Sequence, residues 1–180
     1  VRLASVASRL RSDGGTGMKR VSLDATRRAL EPALRRVLHF YWRFARAMTL
    51  GVRALVIDEN GRIFLVKHSY ISGWYLPGGG VEAGETLLQA LARELREEGN
   101  IEITEPPRLH GMFFNDRVSR RDHVALFVVR AAHQSAAPVP DREIVAHGFF
   151  DLEALPNDTT ASTRARIIEV LGGAPASEQW

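Results

Sequence analysis

Cysteine is absent from this chain, which removes disulfides, thiolate metal sites and cysteine nucleophiles in one step. No apolar run approaches the roughly 18 residues that a membrane-spanning helix needs. No internal repeat is present, so a stacked-repeat architecture is excluded. What remains is 45% hydrophobic and 25% charged over 180 residues. That is the composition of a soluble globular protein, with the length for one domain plus an extension.

The positive charge is unevenly placed. Residues 1–48 hold 11 Lys and Arg against 3 Asp and Glu, a net of +8, and residues 49–180 hold 13 against 18, a net of −5. The basicity therefore belongs to the extension and says little about the remainder. Residues 1–23 are small, polar and Gly-containing, and are expected to be disordered. Their Arg/Ser-rich, acid-poor start weakly resembles an organelle transit peptide, without the apolar core of a secretion signal. Met18 is a candidate initiator, and the expected location is cytoplasmic. Residues 24–49 predict a basic amphipathic helix: Leu30, Leu34, Val37, Leu38, Tyr41, Trp42, Ala45 and Met48 recur at three- and four-residue spacing, and Pro32 suits a first turn. Packing on the domain, or in a homodimer, is its simplest use. Contact with an anionic membrane surface or with nucleic acid is the alternative.

The stretch from Gly73 to Ile101 concentrates the chemistry. An aromatic run, Trp74-Tyr75-Leu76, leads into Pro77-Gly78-Gly79-Gly80, whose backbone is free to adopt positive φ and to approach a ligand. A helix is expected from about Glu85 to Glu98, with Leu87, Leu88, Leu91 and Leu95 as its apolar stripe. Glu94, Glu97 and Glu98 lie at i, i+3 and i+4, where like charges cost about 0.2–0.5 kcal/mol per pair. Two of them stand in the last turn, where the helix dipole favours cations. Glu94 and Glu98 border the buried face. Such a cluster calls for a positive partner, and Mg2+ takes carboxylates, waters and substrate phosphates. The glycine turn adds backbone groups for phosphate or metal.

These residues resemble the Nudix box of the Nudix hydrolases: Gly79, five residues, Glu85, seven residues, then Arg93-Glu94-Leu95-Arg96-Glu97-Glu98, and Ile101 beyond. The pattern fixes about eight positions over 23 residues, far more than a lone glycine motif. One position departs, with Asn100 where the family has glycine. Asn tolerates the left-handed conformation that ends helices, so the geometry is expected to survive.

The resemblance implies an α/β (α+β type) fold, an α/β/α sandwich around a mixed sheet spanning residues 50–172, carrying the helical extension before it and a loose tail over 173–180. It implies a hydrolase that cleaves a pyrophosphate linkage in a nucleoside diphosphate-linked compound by water attack on phosphorus. Glu94, Glu97, Glu98 and the Gly78 carbonyl would hold Mg2+ or Mn2+, and Glu97 or Glu94 would serve as general base. Glu85 and Arg93 would support them from behind, Arg93 orienting a carboxylate. A further acidic ligand is expected before the last strand, with Glu143 the best match and Asp141 and Asp122 the alternatives. Arg53, Lys67, Gly79 and Gly80 are candidates for substrate contact. An RNA 5′-end pyrophosphohydrolase and a non-catalytic nucleotide sensor are the competing functions. An isomerase on the same fold is disfavoured because cysteine takes part in the best-known case.

The remaining chain reads as strands and turns. Val52–Ile57 and Arg62–His68 are apolar, β-branched runs around Asp58-Glu59-Asn60-Gly61, the signature of a β-hairpin. Arg53, Lys67 and His68 are expected to face solvent by alternation. Trp74–Leu76, Arg108–Phe114, His123–Arg130 and Gly148–Leu152 predict further strands, and 134–141 a loop. Thr160–Leu171 predicts a last helix, with Ser162 as another candidate cap and Gly172-Gly173 as its stop. Trp74, Tyr70, Phe113 and Phe114 are simplest as core or rim aromatics.

Overall fold

The computed structural model describes residues 35, 38, 41, 47–139 and 142–180. Most of the amphipathic helix expected over 24–49, its proposed dimer and membrane or nucleic-acid roles, and Asp141 lie outside these residues; Ala47 and Met48 are not helical and Thr49 begins a strand, so the helix stops short of its expected end. Arg35, Leu38 and Tyr41 are helical and exposed.

From Thr49 on, the described residues form seven strands and two α-helices in order: β1 (Thr49–Val56), β2 (Ile63–His68), α1 (Leu87–Gly99), β3 (Ile101–Ile103), β4 (Arg108–Phe114), β5 (Asp122–Val129), β6 (Ala132–Gln134), β7 (Ile144–Phe150) and α2 (Ala161–Leu171). β1 runs parallel to β5, and β5 pairs antiparallel with β4. β2 pairs antiparallel with β7, and β3 with β6.

β1, β2 and β5 are buried on both faces, which is why their sequences are nearly continuous apolar runs. Val52, Ala54, Val56, Phe64, Val66, Ala125 and Phe127 form one core with Ala90, Leu91 and Leu95 of α1. Leu55, Ile63, Leu65, Leu126 and Val128 form the other with Ile167 and Val170 of α2. A helix therefore covers each side. This is the α/β/α sandwich around a mixed sheet that the resemblance implied.

Three expectations are corrected. The Asp58–Gly61 turn forms, with Gly61 at φ 79° and the Asp58 carboxylate accepting from Asn60 N and Arg62 N. Yet β1 and β2 are not a hairpin, since an isolated bridge joins Ile57 to Ile63 and each strand pairs elsewhere. β1 has no edge to offer. β5 takes one side, and the glycine segment takes the other through Val52 N–Gly79 O and Ala54 N–Pro77 O, both 2.9 Å. His68 is buried rather than solvent-facing, because alternation along β2 turns it inward with Phe64 and Val66. The tail is fixed rather than loose: Phe114 N donates to Glu178 O at 2.8 Å and Trp180 N to Phe114 O at 3.0 Å.

Candidate active site

α1 begins at Leu87, two residues after the expected start at Glu85. Thr86 is its N-cap, accepting from Gln89 N while Gln89 Oε1 accepts from Thr86 N, a reciprocal capping box. Asn100 ends it at φ 50°, ψ 35°, the left-handed conformation expected of it. Between the caps, Ala90, Leu91, Leu95 and Glu98 are buried. Glu98 thus continues the leucine stripe into the core. A carboxylate occupies a position that packing alone would give to an apolar residue.

The glycine segment meets this helix edge. Gly78 N donates to Glu98 Oε2 at 2.7 Å. Gly78 has φ 136°, and a Cβ there would strike the Val52 carbonyl, so no other residue fits. A Cβ on Gly79 would collide with the Glu94 carboxylate, which places Glu94 against the glycine backbone.

Arg93 gathers the remaining acids. Its Nε and Nη2 bind both oxygens of Glu85 at 2.9 and 3.0 Å, and Nη1 reaches Glu94 at 2.8 Å and Glu97 at 3.3 Å. Nη2 also donates to Gly80 O at 3.0 Å. Glu85 lies before the helix, and the Arg93 guanidinium holds its carboxyl below the usual range. Those same carboxylates push the Arg93 pKa upward. Glu97, at the exposed end, keeps 60% of its side-chain surface accessible.

Burial pushes Glu98 up to about 7. His68 Nε2 stands 3.8 Å from Glu98 Oε1. Burial, and then the charge of Arg53, lower the His68 pKa, so this ring is a weak partner for the carboxylate. His68 Nδ1 is buried without a hydrogen-bond partner. Glu143, exposed at the start of β7, accepts from Tyr70 Oη at 3.4 Å, and its charge contributes to raising both Glu98 and Tyr70. The structure therefore brings Glu85, Arg93, Glu94, Glu97, Glu98 and Gly78 together along one edge of α1, with Glu143 near enough for its charge to act on Glu98. Asp122 is held elsewhere, by Thr49 and Asn115.

A cleft of about 540 Å3 opens beside the glycines, lined by Arg53, Gly79, Gly80 and Tyr75 among others. Arg53 donates to the Gly78 carbonyl and, at 3.3 Å, to Leu76 O. Lys67 does not line the cleft, and binds Asp158 at 2.8 Å. Sequence reasoning missed His68 as a neighbour of Glu98, although the 64, 66, 68 alternation carried that information. It also missed the contributions of Thr160, Thr163 and Trp180 to the cleft.

Among the described residues no three His, Asp or Glu side chains converge as a ready cation site, because Arg93 draws Glu94 and Glu97 to itself. The donor set still suits a hard divalent ion, being all oxygen: three carboxylates on adjacent turns and a glycine carbonyl. A buried carboxylate raised by desolvation is also a group that a cation would stabilise.

Comparison with known proteins gives a consistent family. The NUDIX domain model matches residues 48–171. An RNA pyrophosphohydrolase of Halorhodospira halophila is 47% identical over 48 residues, 27% of this chain and 26% of that protein. This chain thus spans about a quarter of that relative. A MutT-like protein of Streptomyces ambofaciens is 28% identical over 126 residues, 70% of this chain and 79% of that one. The crystal structure of a MutT NUDIX hydrolase from Burkholderia pseudomallei superposes with a TM-score of 0.58 at 27% identity, covering 69% of this chain and 98% of that chain.

Proposed function

The chain belongs to the Nudix family, and from that membership we propose that it is a divalent-metal-dependent hydrolase cleaving a pyrophosphate linkage in a nucleoside diphosphate-linked compound. The observation that carries the reading is Glu98. A carboxylate in the core face of a helix, raised to about 7 by burial, is a poor choice for stability and a good one for gripping a cation beside a glycine turn.

Glu94, Glu97, Glu98 and the Gly78 carbonyl would hold Mg2+ or Mn2+, with Glu143 as a further ligand. Such an ion would neutralise phosphate oxygens and lower the pKa of bound water. The chain's own residues do the rest. Arg93, anchored on Glu85, fixes Glu94 and restrains Glu97. Glu97 or Glu94 takes the proton of the attacking water; as its oxygen bonds to one phosphorus, the anhydride P–O bond breaks and the bridging oxygen departs on the other phosphorus, leaving two phosphate monoesters. Arg53, Gly79 and Gly80 line the cleft, and the Glu94 carboxylate lies against Gly79; a guanidinium and glycine backbone suit phosphate oxygens.

The experiment treats the purified full chain with EDTA, then adds Mg2+ or Mn2+ and screens nucleotide sugars, ADP-ribose, dinucleotides and (d)NTPs by chromatography. Metal-restored release of a nucleoside monophosphate is expected. Failure of every substrate, or turnover indifferent to chelation, would defeat the reading. The relative named an RNA pyrophosphohydrolase and the +8 charge of residues 1–48 favour triphosphorylated RNA as a second substrate class. RNA cleavage that weakens steeply with salt and on deletion of residues 1–48 distinguishes it, since a small nucleotide is indifferent to both.

A further inference from the structure

The segment after α2 is anchored by buried polar chemistry. Arg166, 6% exposed, donates from Nη1 to Ser177 Oγ at 2.7 Å and to Gln179 O at 2.6 Å, and pairs through Nη2 with Glu169 Oε2 at 3.1 Å. Glu169 also accepts from Ser177 N at 3.2 Å and meets His110 Nε2 at 2.8 Å. The guanidinium lies 4.5 Å above the Phe113 ring. Taking such charges out of water is costly, and Arg166 Nε is left without a hydrogen-bond partner, yet three of these five polar contacts hold residues 177 and 179 in place. Gly111 completes the seat, since a Cβ there would overlap Ala176.

What this framework delivers is Trp180. Its backbone pairs with Phe114, and its ring packs edge-to-face on Phe113 at 5.5 Å. The indole is only partly buried and forms part of the wall of the 540 Å3 cleft that Arg53, Gly79 and Gly80 also line. Tyr75 and the hydroxyl-bearing Thr160 and Thr163 stand in the same wall. Aromatic surface with a few polar atoms is the chemistry that receives a planar heteroaromatic ring.

We infer that Trp180 is a specificity-determining residue that packs against the nucleobase of the substrate, held in place by the Arg166–Glu169–Ser177 network. This rests on the proposed nucleotide chemistry of the cleft, and adds to it a residue outside the glycine–glutamate motif. The indole acts on the base and leaves the phosphate end untouched, so it changes substrate choice rather than the bond-breaking step.

The test measures binding, which keeps it separate from turnover. Calorimetry on the full chain in EDTA compares ADP, GDP, UDP and CDP with ribose 5-diphosphate, which carries the same phosphates without a base. Wild type should prefer at least one nucleoside diphosphate. Trp180→Ala should weaken that ligand about 5-fold or more, the scale of a base–aromatic contact, and leave ribose 5-diphosphate unchanged. Trp180→Phe should retain most of the preference. If Trp180→Ala binds the whole set as wild type does, the inference fails. It fails equally if all ligands weaken together with a lowered melting temperature, or if wild type never prefers a base. Preserved base preference with no hydrolysis of any substrate would instead sink the proposed enzyme activity and leave Trp180 standing.

Discussion

Replacing Glu98 by Gln tests the site through stability as well as activity. The amide keeps an oxygen for the Gly78 N–H, now 2.7 Å from Glu98 Oε2, and removes only the charge. Burial lifts Glu98 from 4.5 to about 7. Between those values the folded chain holds a proton that the unfolded chain has released, so stability falls as pH rises through the window. At about 1.4 kcal/mol per unit the loss is about 3 kcal/mol, complete above pH 7. His68, lowered by burial, acts oppositely: its contribution is present above pH 6.5 and lost as pH falls. That term is common to both proteins and cancels in their difference. Urea unfolding in EDTA should therefore find Glu98→Gln equal to wild type near pH 4 and more stable by about 3 kcal/mol at pH 8. Mg2+ should then stabilise wild type at pH 8, by about 2.7 kcal/mol at one hundred times its Kd, and do nothing for the variant. Turnover should drop more than about 100-fold, beyond the loss typical of residues that merely support a metal ligand. A stability difference that stays flat from pH 4 to 8 would refute the argument from burial. Full turnover by the variant would remove Glu98 from the chemistry.

Gly79→Ala places a methyl group inside the Glu94 carboxylate; the flexible acid moves, so thermal melting should change little while kcat falls about 10-fold or more. Gly78→Ala instead meets the Val52 backbone at φ 136°, and urea unfolding should show a loss above about 2 kcal/mol. Arg93→Lys cannot span Glu85, Glu94 and the Gly80 carbonyl together, so Mg2+ titration of activity should show apparent metal affinity or kcat reduced about 10- to 100-fold. Leu95→Ala, at a fully buried position under the sheet, should cost about 2–5 kcal/mol by the same unfolding assay.

Local rules carried the sequence reading as far as local physics reaches. The Asn100 cap, the strand and turn flanking β4 and β5, and the helix before Gly172 all follow from neighbours within a few residues. Thr86 with Gln89 three positions on was equally readable as a helix start, and would have moved Glu85 out of the helix. Pairing was not local. An Asn-Gly turn joins β1 to β2, but their edges are claimed by β5, β7 and the glycine segment, which lie further along the chain. β3 and β6 are three residues each, too short to show a period.

The site divides along the same line. Like-charged glutamates at helical spacing announced a need for positive charge, and the structure meets part of that need with Arg93, which holds Glu85 and Glu94 and reaches Glu97. Glu98 is the member that Arg93 does not reach. It lies one turn beyond Leu95 on the core face, with a Gly78 N–H for a donor and His68, weakened by burial, for a neighbour. A fold selected for stability alone would place leucine there, since an unpaired buried charge is among the most destabilising features a core can carry. The distinction between a solvated acidic face and a cation-seeking site therefore rests on this one position. Among the four acids, Glu98 is the one whose replacement by an apolar isostere should most increase the stability of the metal-free chain. Glu98→Leu, compared with Glu97→Leu by urea unfolding in EDTA at pH 8, should stabilise the chain while the second does not, and an equal effect at both positions would return the cluster to ordinary surface electrostatics.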